Sequence, residues 1–182
     1  MNVGSRIHRR KSIRLQEYDY ASTGAYFVTI CTHDKKCLFG EVIDEKMIQS
    51  PIGEIAESCW QEIPQHFEHV DLDYFVIMPN HIHGILFFSD HDDCRGVQLN
   101  APTDANFYAK ISPNKNTLSV IIRTFKAAVT RQCRLNGYEH FKWQRSFFDR
   151  VIRNDDELNK IREYILYNPL KWQFENENPE NL

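Results

Sequence analysis

Two histidines, His81 and His83, flank Ile82 in an apolar stretch at residues 75–88. The stretch predicts two strands separated by Pro79-Asn80. Side chains alternate between the two faces of a strand, so both histidines share one face while Ile82 points into the core. Two imidazoles about 7 Å apart along a strand face can each give one ring nitrogen to a divalent metal. A half-buried strand that merely exposes two histidines explains so short a motif equally well.

A second candidate set lies near the carboxyl end, where Tyr164 and Asn168 are four residues apart in a predicted helix. This spacing puts both side chains on one helix face, although Pro169 disfavours helical geometry at Asn168 and favours a position at the helix end. A tyrosine hydroxyl, with a pKa of about 10, becomes a useful nucleophile when a metal polarises the phosphate under attack and a nearby cation favours the phenolate.

The amide oxygen of Asn168 could complete a metal shell begun by the two histidines. Two imidazoles and one oxygen, with open positions, suit Mg²⁺ or Mn²⁺ holding a phosphate. By composition Tyr167 is a rival nucleophile, and either tyrosine is also explained as an ordinary core or surface aromatic.

The length of 182 residues suits a single domain, residues 1–182, and the content of 42% hydrophobic and 26% charged residues is ordinary for a globular protein. No apolar run approaches the roughly 18 residues needed to cross a membrane, and the amino-terminal stretch lacks the apolar core of a secretory signal. The five cysteines are scattered and contain no Cys-x-x-Cys pair. They favour a reducing cytoplasm over a disulfide framework or a zinc-thiolate site. We therefore expect a cytoplasmic protein without a membrane partner.

Positive charge is segregated although the net charge is −3. It is concentrated in a basic arm at residues 1–15 and in the span 110–150, whereas acids gather at 90–93, at 155–157 and in a tail at 173–182. Such segregation creates a local positive field suited to a phosphate backbone, although a solvated helix face and a basic arm give the same pattern. The candidate DNA-binding residues are Arg9, Arg10, Lys11, Arg14, Arg123, Lys126, Arg131 and Arg145.

Hydrophobic periodicity predicts the order strand, helix, strand, strand, helix, strand, helix, with a small hairpin after the first strand. The predicted elements are a strand at 25–32, a hairpin at 36–49, a helix from Ser50 to about Pro64, strands at 71–78 and 81–88, a helix from Thr117 to Asn136, a strand at 141–152 and a helix from Asn154 to Pro169. The last helix has an apolar stripe of Leu158, Ile161 and Ile165, with Leu166 at its margin. We predict an α+β fold, a ferredoxin-like (RRM-like) antiparallel sheet packed with helices, plus a C-terminal helix that carries the tyrosine.

The segment at 89–116 is polar and predicts a long loop with little regular structure. His91, among its aspartates, could bind a cation, but a solvated loop explains this composition as well.

Six groups of residues, spread from about residue 9 to about residue 172, form a combination typical of one protein family. They are Arg9-Arg-Lys-Ser-Ile-Arg-Leu15, Gly24-Ala-Tyr-Phe-Val-Thr-Ile-Cys-Thr32, Val76-Ile-Met-Pro-Asn-His-Ile-His-Gly84, Thr117-Leu-Ser119, Trp143-Gln-Arg145 with Phe148-Asp149, and Tyr164-Ile-x-x-Asn-Pro169. Each is weak alone, but their order and spacing are specific. The combination resembles the single-domain HUH transposases with one catalytic tyrosine, and most closely the REP-associated tyrosine transposases.

This resemblance implies a metal-dependent endonuclease and strand transferase that acts on single-stranded DNA beside a hairpin, through a covalent 5′-phosphotyrosine and without a nucleotide cofactor. It implies that His81 and His83 are the metal pair, that Tyr164 and not Tyr167 is the nucleophile, and that Asn168 is the third metal-side group. It also implies that the basic arm helps to recognise a hairpin foot or guide bases. Both a monomer and a homodimer remain open. The insert at 89–116 and the acidic tail depart from the family pattern.

Three other functions also remain open. A non-catalytic single-strand binder would use Tyr26, Phe27 and Trp143 to stack bases. A small-molecule phosphoesterase would use His81 and His83 as acid and base, but the second His-x-[Ser/Thr] element usual for that class is not evident. A domesticated transposase relative would bind DNA and cleave little.

Overall fold

The computed structural model describes residues 23–89 and 117–172. The basic arm, the segment 90–116 and the tail 173–182 lie outside the described residues, so the predictions for Arg9, Arg10, Lys11, Arg14 and the long loop stay predictions. The elements are β1 Gly24–Cys31, β2 Gly40–Ile43, β3 Lys46–Gln49, α1 Pro51–Gln61, α2 Ile63–His66, β4 Val70–Met78, β5 His81–Phe88, α3 Leu118–Leu135, β6 Phe148–Ile152, α4 Asp155–Leu166 and α5 Asn168–Lys171. Within the described ranges no helix has the length and apolarity to cross a membrane.

Four strands form an antiparallel sheet in the order β4-β5-β1-β6, and β2 pairs with β3 in a separate hairpin. The two central strands are β1 and β5, whose register sets Cys31 opposite His81 and Thr29 opposite His83. The edge strand β6 pairs with the other side of β1. The predicted α+β, ferredoxin-like sheet is confirmed.

One face of the sheet packs against α1 and α3. The main core joins Val28 of β1 and Ile82 of β5 to Trp60 of α1 and Phe125 of α3. Helix α1 begins where predicted, because the Ser50 hydroxyl accepts a hydrogen bond from the Gly53 N–H at 3.2 Å. Burial of each large apolar side chain contributes about 1.5–3 kcal/mol. This layer gives the sheet a rigid support on the side away from the histidines.

The opposite face packs against α4. A second core cluster joins the sheet residues Phe27 and Ile85 to Leu158, Ile161 and Ile165, the predicted stripe of the helix. The margin residue of the prediction, Leu166, is 61% exposed and lies outside the stripe. The start of α4 is capped by the Asn154 side chain, which accepts a hydrogen bond from the Glu157 N–H at 2.9 Å. Another contact anchors α4 to β4, since Arg162 Nε donates to Asp73 Oδ2 at 2.7 Å.

Two predicted boundaries were wrong. The strand predicted at 141–152 is regular only at Phe148–Ile152, and before it Trp143 forms an isolated bridge with Thr32. There the chain is held by the Trp143 indole, whose Nε1 donates to the Lys126 carbonyl at 3.1 Å, and not by a continuous ladder. The last helix ends at Leu166 instead of Pro169. Proline has no N–H to continue the helical ladder, so α5 begins as a separate short helix.

Candidate active site

The central strand β5 brings His81 and His83 together. Their ring centroids are 4.4 Å apart and both side chains are buried, whereas Ile82 lies in the main core on the other face of the sheet. The alternation of side chains along the strand therefore holds as predicted. Burial, and secondarily the neighbouring His81, lowers the pKa of His83 well below its ordinary value. A neutral imidazole is the form that can accept a proton or bind a metal.

Two polar neighbours fix how these rings are oriented. The Nδ1 atom of His81 lies 2.6 Å from Asn80 Oδ1, and the Nδ1 atom of His83 lies 2.9 Å from the Thr29 hydroxyl. A carbonyl oxygen only accepts, so the His81 Nδ1–H donates to Asn80 and the lone pair is on Nε2. If the His83 Nδ1–H likewise donates to the Thr29 hydroxyl, the lone pair of His83 is also on Nε2. Both rings can then present Nε2 as the reactive nitrogen.

Tyr164 lies directly beside this pair. Its hydroxyl is 3.3 Å from His83 Nε2, and its ring centroid is 5.2 Å from that of His83. Phe27 packs edge-on against Tyr164 at 6.3 Å and stacks on His83 at 5.3 Å, so it sets the distance between the two rings. The Lys171 ammonium lies 5.8 Å from the centroid of the Tyr164 ring. The rival Tyr167 forms the C-cap of α4 and is exposed.

Asn168 is buried at the start of α5. The prediction that Tyr164 and Asn168 occupy one continuous helix was wrong, because the helix is interrupted at Tyr167. The expectation that Pro169 places Asn168 at a helix end is confirmed. The Nδ2 atom of Asn168 has no hydrogen-bond partner within residues 23–89 and 117–172. One turn later, Trp172 packs against His81 with ring centroids 5.9 Å apart. The amide side chain thus lies in the helix pair that covers the histidine face.

The predicted metal site would combine two imidazoles with one amide oxygen. In the described part of the chain no three His, Cys, Asp or Glu side chains form a metal-binding group. Two imidazoles can be completed by an amide oxygen, and the buried Asn168 side chain, whose Nδ2 has no partner among the described residues, is the predicted source of that oxygen. Two nitrogens and one neutral oxygen leave positions open for phosphate oxygens. His81, His83 and Asn168 are therefore the residues that would hold the ion.

Among the described residues, three of the predicted DNA-binding cations lie on the side of the sheet away from Tyr164. Arg123, Lys126 and Arg131 belong to α3, which packs on the opposite face of the sheet. Lys126 donates to the carbonyls of Gln144 at 2.9 Å and Ser146 at 3.3 Å, and burial lowers its pKa to about 8. Arg145 is exposed. It follows Gln144, whose N–H donates to the carbonyl of Cys31 at the end of β1 that pairs with His81.

Two of the three stacking residues of the alternative binding module are not available on the surface. Tyr26 is fully buried in the main core and Phe27 is buried beneath Tyr164. Trp143 packs against Phe39 and Phe125. Tyr26 and Phe27 therefore cannot form the base-stacking platform that this alternative requires, whereas Trp143 is half-buried and lines a pocket beside Lys126 and Arg131.

Three residues of the site were not predicted. Asn80 was assigned only to the break between two strands, although its position next to His81 was a usable signal. Thr29 meets His83 through the β1–β5 register, 54 residues apart in sequence, which no local pattern shows. Lys171 follows Pro169, and its approach to Tyr164 depends on the break between α4 and α5.

Comparisons with known proteins agree with this architecture, although no family model matches the chain. A protein of Haemophilus influenzae described as uncharacterized is 41% identical over 170 residues, which cover 92% of each chain. A second Haemophilus influenzae protein, named "Putative REP-associated tyrosine transposase", is 26% identical over 162 residues, or 84% of this chain and 74% of that protein. A solved REP-associated tyrosine transposase bound to a REP hairpin matches with a TM-score of 0.58 and 18% identity, over 87% of this chain and 74% of that one.

The fold is therefore that of a tyrosine transposase. The chain belongs to one family with the uncharacterized Haemophilus influenzae protein, and it is a relative of the REP-associated tyrosine transposases, as its motifs predicted.

Proposed function

We propose that the protein is a divalent-metal-dependent endonuclease and strand transferase for single-stranded DNA, and that it acts beside DNA hairpins through a 5′-phosphotyrosine. The observation that carries the proposal is the 3.3 Å separation between the Tyr164 hydroxyl and His83 Nε2, inside a buried pair of histidines. A tyrosine placed against two oriented imidazoles is the arrangement needed to attack a metal-bound phosphate. The hairpin partner is supported by the relative of the same fold that is bound to one.

The chemistry assigned to Tyr164 is one in-line displacement. Its oxygen forms a bond to phosphorus, and the bond from phosphorus to the 3′ oxygen breaks, so that this oxygen leaves as a 3′-hydroxyl after taking up a proton. The phosphotyrosine keeps the energy of the original ester, and a second 3′-hydroxyl can reverse the step without a nucleotide cofactor. Mg²⁺ or Mn²⁺ bound by His81, His83 and Asn168 would polarise the phosphate and stabilise its developing charge.

Surrounding residues have supporting roles in this proposal. The Lys171 ammonium lies over the Tyr164 ring, 5.8 Å from its centroid, and places a positive charge beside the proposed nucleophile. Thr29 and Asn80 hold the imidazoles with Nε2 toward the reaction. We propose that Tyr164 acts with the histidine pair of its own chain, because its hydroxyl lies 3.3 Å from His83 Nε2 of that chain.

DNA contacts are proposed on both sides of the sheet. Arg123 and Arg131 on α3 and Arg145 near the end of β1 are exposed and can contact backbone phosphates. Lys126 is proposed to contribute less, because its ammonium already donates to two carbonyls.

Cleavage of labelled single-stranded DNA tests the proposal. The substrate would carry the palindromic hairpins that flank the gene, and it would be incubated with Mg²⁺, with Mn²⁺ or with chelator. We expect metal-dependent cleavage that is lost in His81→Ala and His83→Ala and retained in Tyr167→Phe, the matched tyrosine control. Binding without cleavage under every metal condition would instead favour a domesticated or binding-only relative.

A further inference from the structure

A groove lies between the edge strand β6 and helix α4, immediately beside the candidate nucleophile. Its volume is about 330 Å³, and besides Ile161 it is lined by three aromatic and three charged side chains: Phe27, Phe148, Tyr164, Arg150, Glu157 and Lys160. We propose that this groove binds one unpaired nucleobase of the DNA strand that Tyr164 attacks. The inference deepens the proposed function and rests on it for the identity of the strand.

Phe148 provides the stacking surface of the groove. It belongs to an edge strand, and its side chain is 44% exposed, unlike the buried Phe27 beside it. The two rings meet edge-on with centroids 6.5 Å apart, so Phe27 supports Phe148 from within while a face of Phe148 remains accessible. Single exposed aromatics are common on protein surfaces. This one lines a concave site next to a nucleophile, where every nucleobase offers a flat face for stacking.

The size of the groove fits one nucleotide. Small-molecule sites generally have volumes of about 300–1,000 Å³, and 330 Å³ lies at the lower end of that range. The groove therefore has room for one base of a single strand.

The charged residues of the groove are one ion pair, Arg150 with Glu157, and one further cation, Lys160. Arg150 is ion-paired with Glu157, whose other oxygen accepts a hydrogen bond from the Arg153 N–H at 3.0 Å. Lys160 lies one helical turn before Tyr164 on α4 and forms no ion pair with the residues that the structure describes. Two positive side chains and one negative side chain give the groove a formal charge of +1. Lys160 can therefore contact a phosphate, while Arg150 has further N–H donors for the edge of a base.

Continuity with the reaction site identifies the occupant as DNA. Tyr164 both lines the groove and contacts His83, so a strand with its phosphate at the Tyr164 hydroxyl has an adjacent base within reach of the groove. Phe27 links the two regions, because it contacts Phe148, His83 and Tyr164. The base next to the cleaved phosphate would thus stack on Phe148, which packs against Phe27, the same ring that contacts Tyr164.

The test is an anisotropy titration with fluorescein-labelled single-stranded DNA that carries the hairpin and its flanking strand. All proteins would contain Tyr164→Phe, which prevents covalent capture but keeps the ring. Phe148→Ala should weaken binding about 5- to 150-fold, the usual range for loss of one base–aromatic stack, whereas Phe148→Trp should retain binding. The matched control is Tyr74→Ala on the opposite edge strand, where the side chain is 47% exposed, and it should change the affinity less than twofold, roughly the size of a surface effect.

A scan of abasic nucleotides then locates the bound base. One position in the single strand should cause the same loss of affinity as Phe148→Ala, and combining the two changes should cause no further loss. The proposed base site would be wrong if Phe148→Ala leaves the affinity unchanged. It would also be wrong if the loss from Phe148→Ala multiplies with the loss from the abasic nucleotide at every position. If these binding results hold while no phosphotyrosine forms in the unmodified protein, the base site stands and the proposed reaction fails.

Discussion

Replacing Thr29 with valine tests whether the orientation of His83 matters to the reaction. The Thr29 hydroxyl lies 2.9 Å from His83 Nδ1, and Thr29 pairs with His83 in the β1–β5 register. Valine keeps the shape and the β-branch of threonine but removes the polar partner. Without it, the imidazole is free to carry its proton on Nε2, and in that tautomer Nε2 can neither bind a metal nor accept from Tyr164.

The size of the effect follows from the position of this hydrogen bond. Loss of a group that orients a metal-binding histidine typically lowers metal affinity or activity about 10- to 100-fold, which is roughly 1.4–2.7 kcal/mol of transition-state stabilisation. The free energy of unfolding should fall by only about 0.5–1.5 kcal/mol, the usual net contribution of one hydrogen bond. The loss of activity should thus exceed the loss of stability.

The assay is the single-turnover rate of DNA cleavage, measured as a function of Mn²⁺ concentration. Thr29→Ser is the matched control, because it retains the hydroxyl, and it should stay within about threefold of the unmodified protein, a change of less than 1 kcal/mol. Urea unfolding of all three proteins would separate activity from stability. A Thr29→Val protein that cleaves as fast as the Thr29→Ser protein would refute the proposed orientation of His83.

Three further predictions concern the fold and the DNA contacts. Gly84→Ala should lower the free energy of unfolding by about 1–3 kcal/mol, because the new methyl group overlaps the buried Trp60 indole; an unchanged urea midpoint would contradict this packing. Burial lowers the pKa of Lys126 from 10.5 to about 8, so between these values the unfolded chain binds a proton that the folded chain lacks, and this group's contribution to stability rises with pH. The unfolding free energy of Lys126→Met should therefore lack that rise between about pH 8 and about pH 10.5, and parallel pH curves for the two proteins would contradict it. Arg131→Gln should weaken DNA binding similarly for all sequences and reduce the slope of log affinity against log salt by about 0.7–0.9, and an unchanged slope would remove this residue from the interface.

Local patterns in the sequence were sufficient for most of the fold. The caps at Ser50 and Asn154 were correctly predicted because a capping side chain bonds to a backbone N–H only three residues away. The shared face of His81 and His83 followed from strand alternation alone. By contrast, the chain before Phe148 has the composition of a strand, but tertiary contacts of Trp143 hold it in another conformation.

The contacts that the sequence did not predict join segments that are distant along the chain. Thr29 meets His83 only after β1 and β5 have paired, and Arg162 meets Asp73 across 89 residues of sequence. Register and helix docking arise from the packing of the whole domain, so neither contact has a local signature. The same holds for the groove beside Phe148, whose residues come from β1, β6 and α4.

The proposed reaction requires a covalent bond between Tyr164 and DNA, and direct detection of that bond is the sharpest test of it. Labelled single-stranded DNA with the flanking hairpins would be incubated with the protein and Mn²⁺, separated on a denaturing gel, and the adduct digested for peptide mass spectrometry. We expect a shifted band whose phosphotyrosine maps to Tyr164, and no band in Tyr164→Phe or with chelator. A band that persists in Tyr164→Phe, or a phosphotyrosine at Tyr167, would contradict the account.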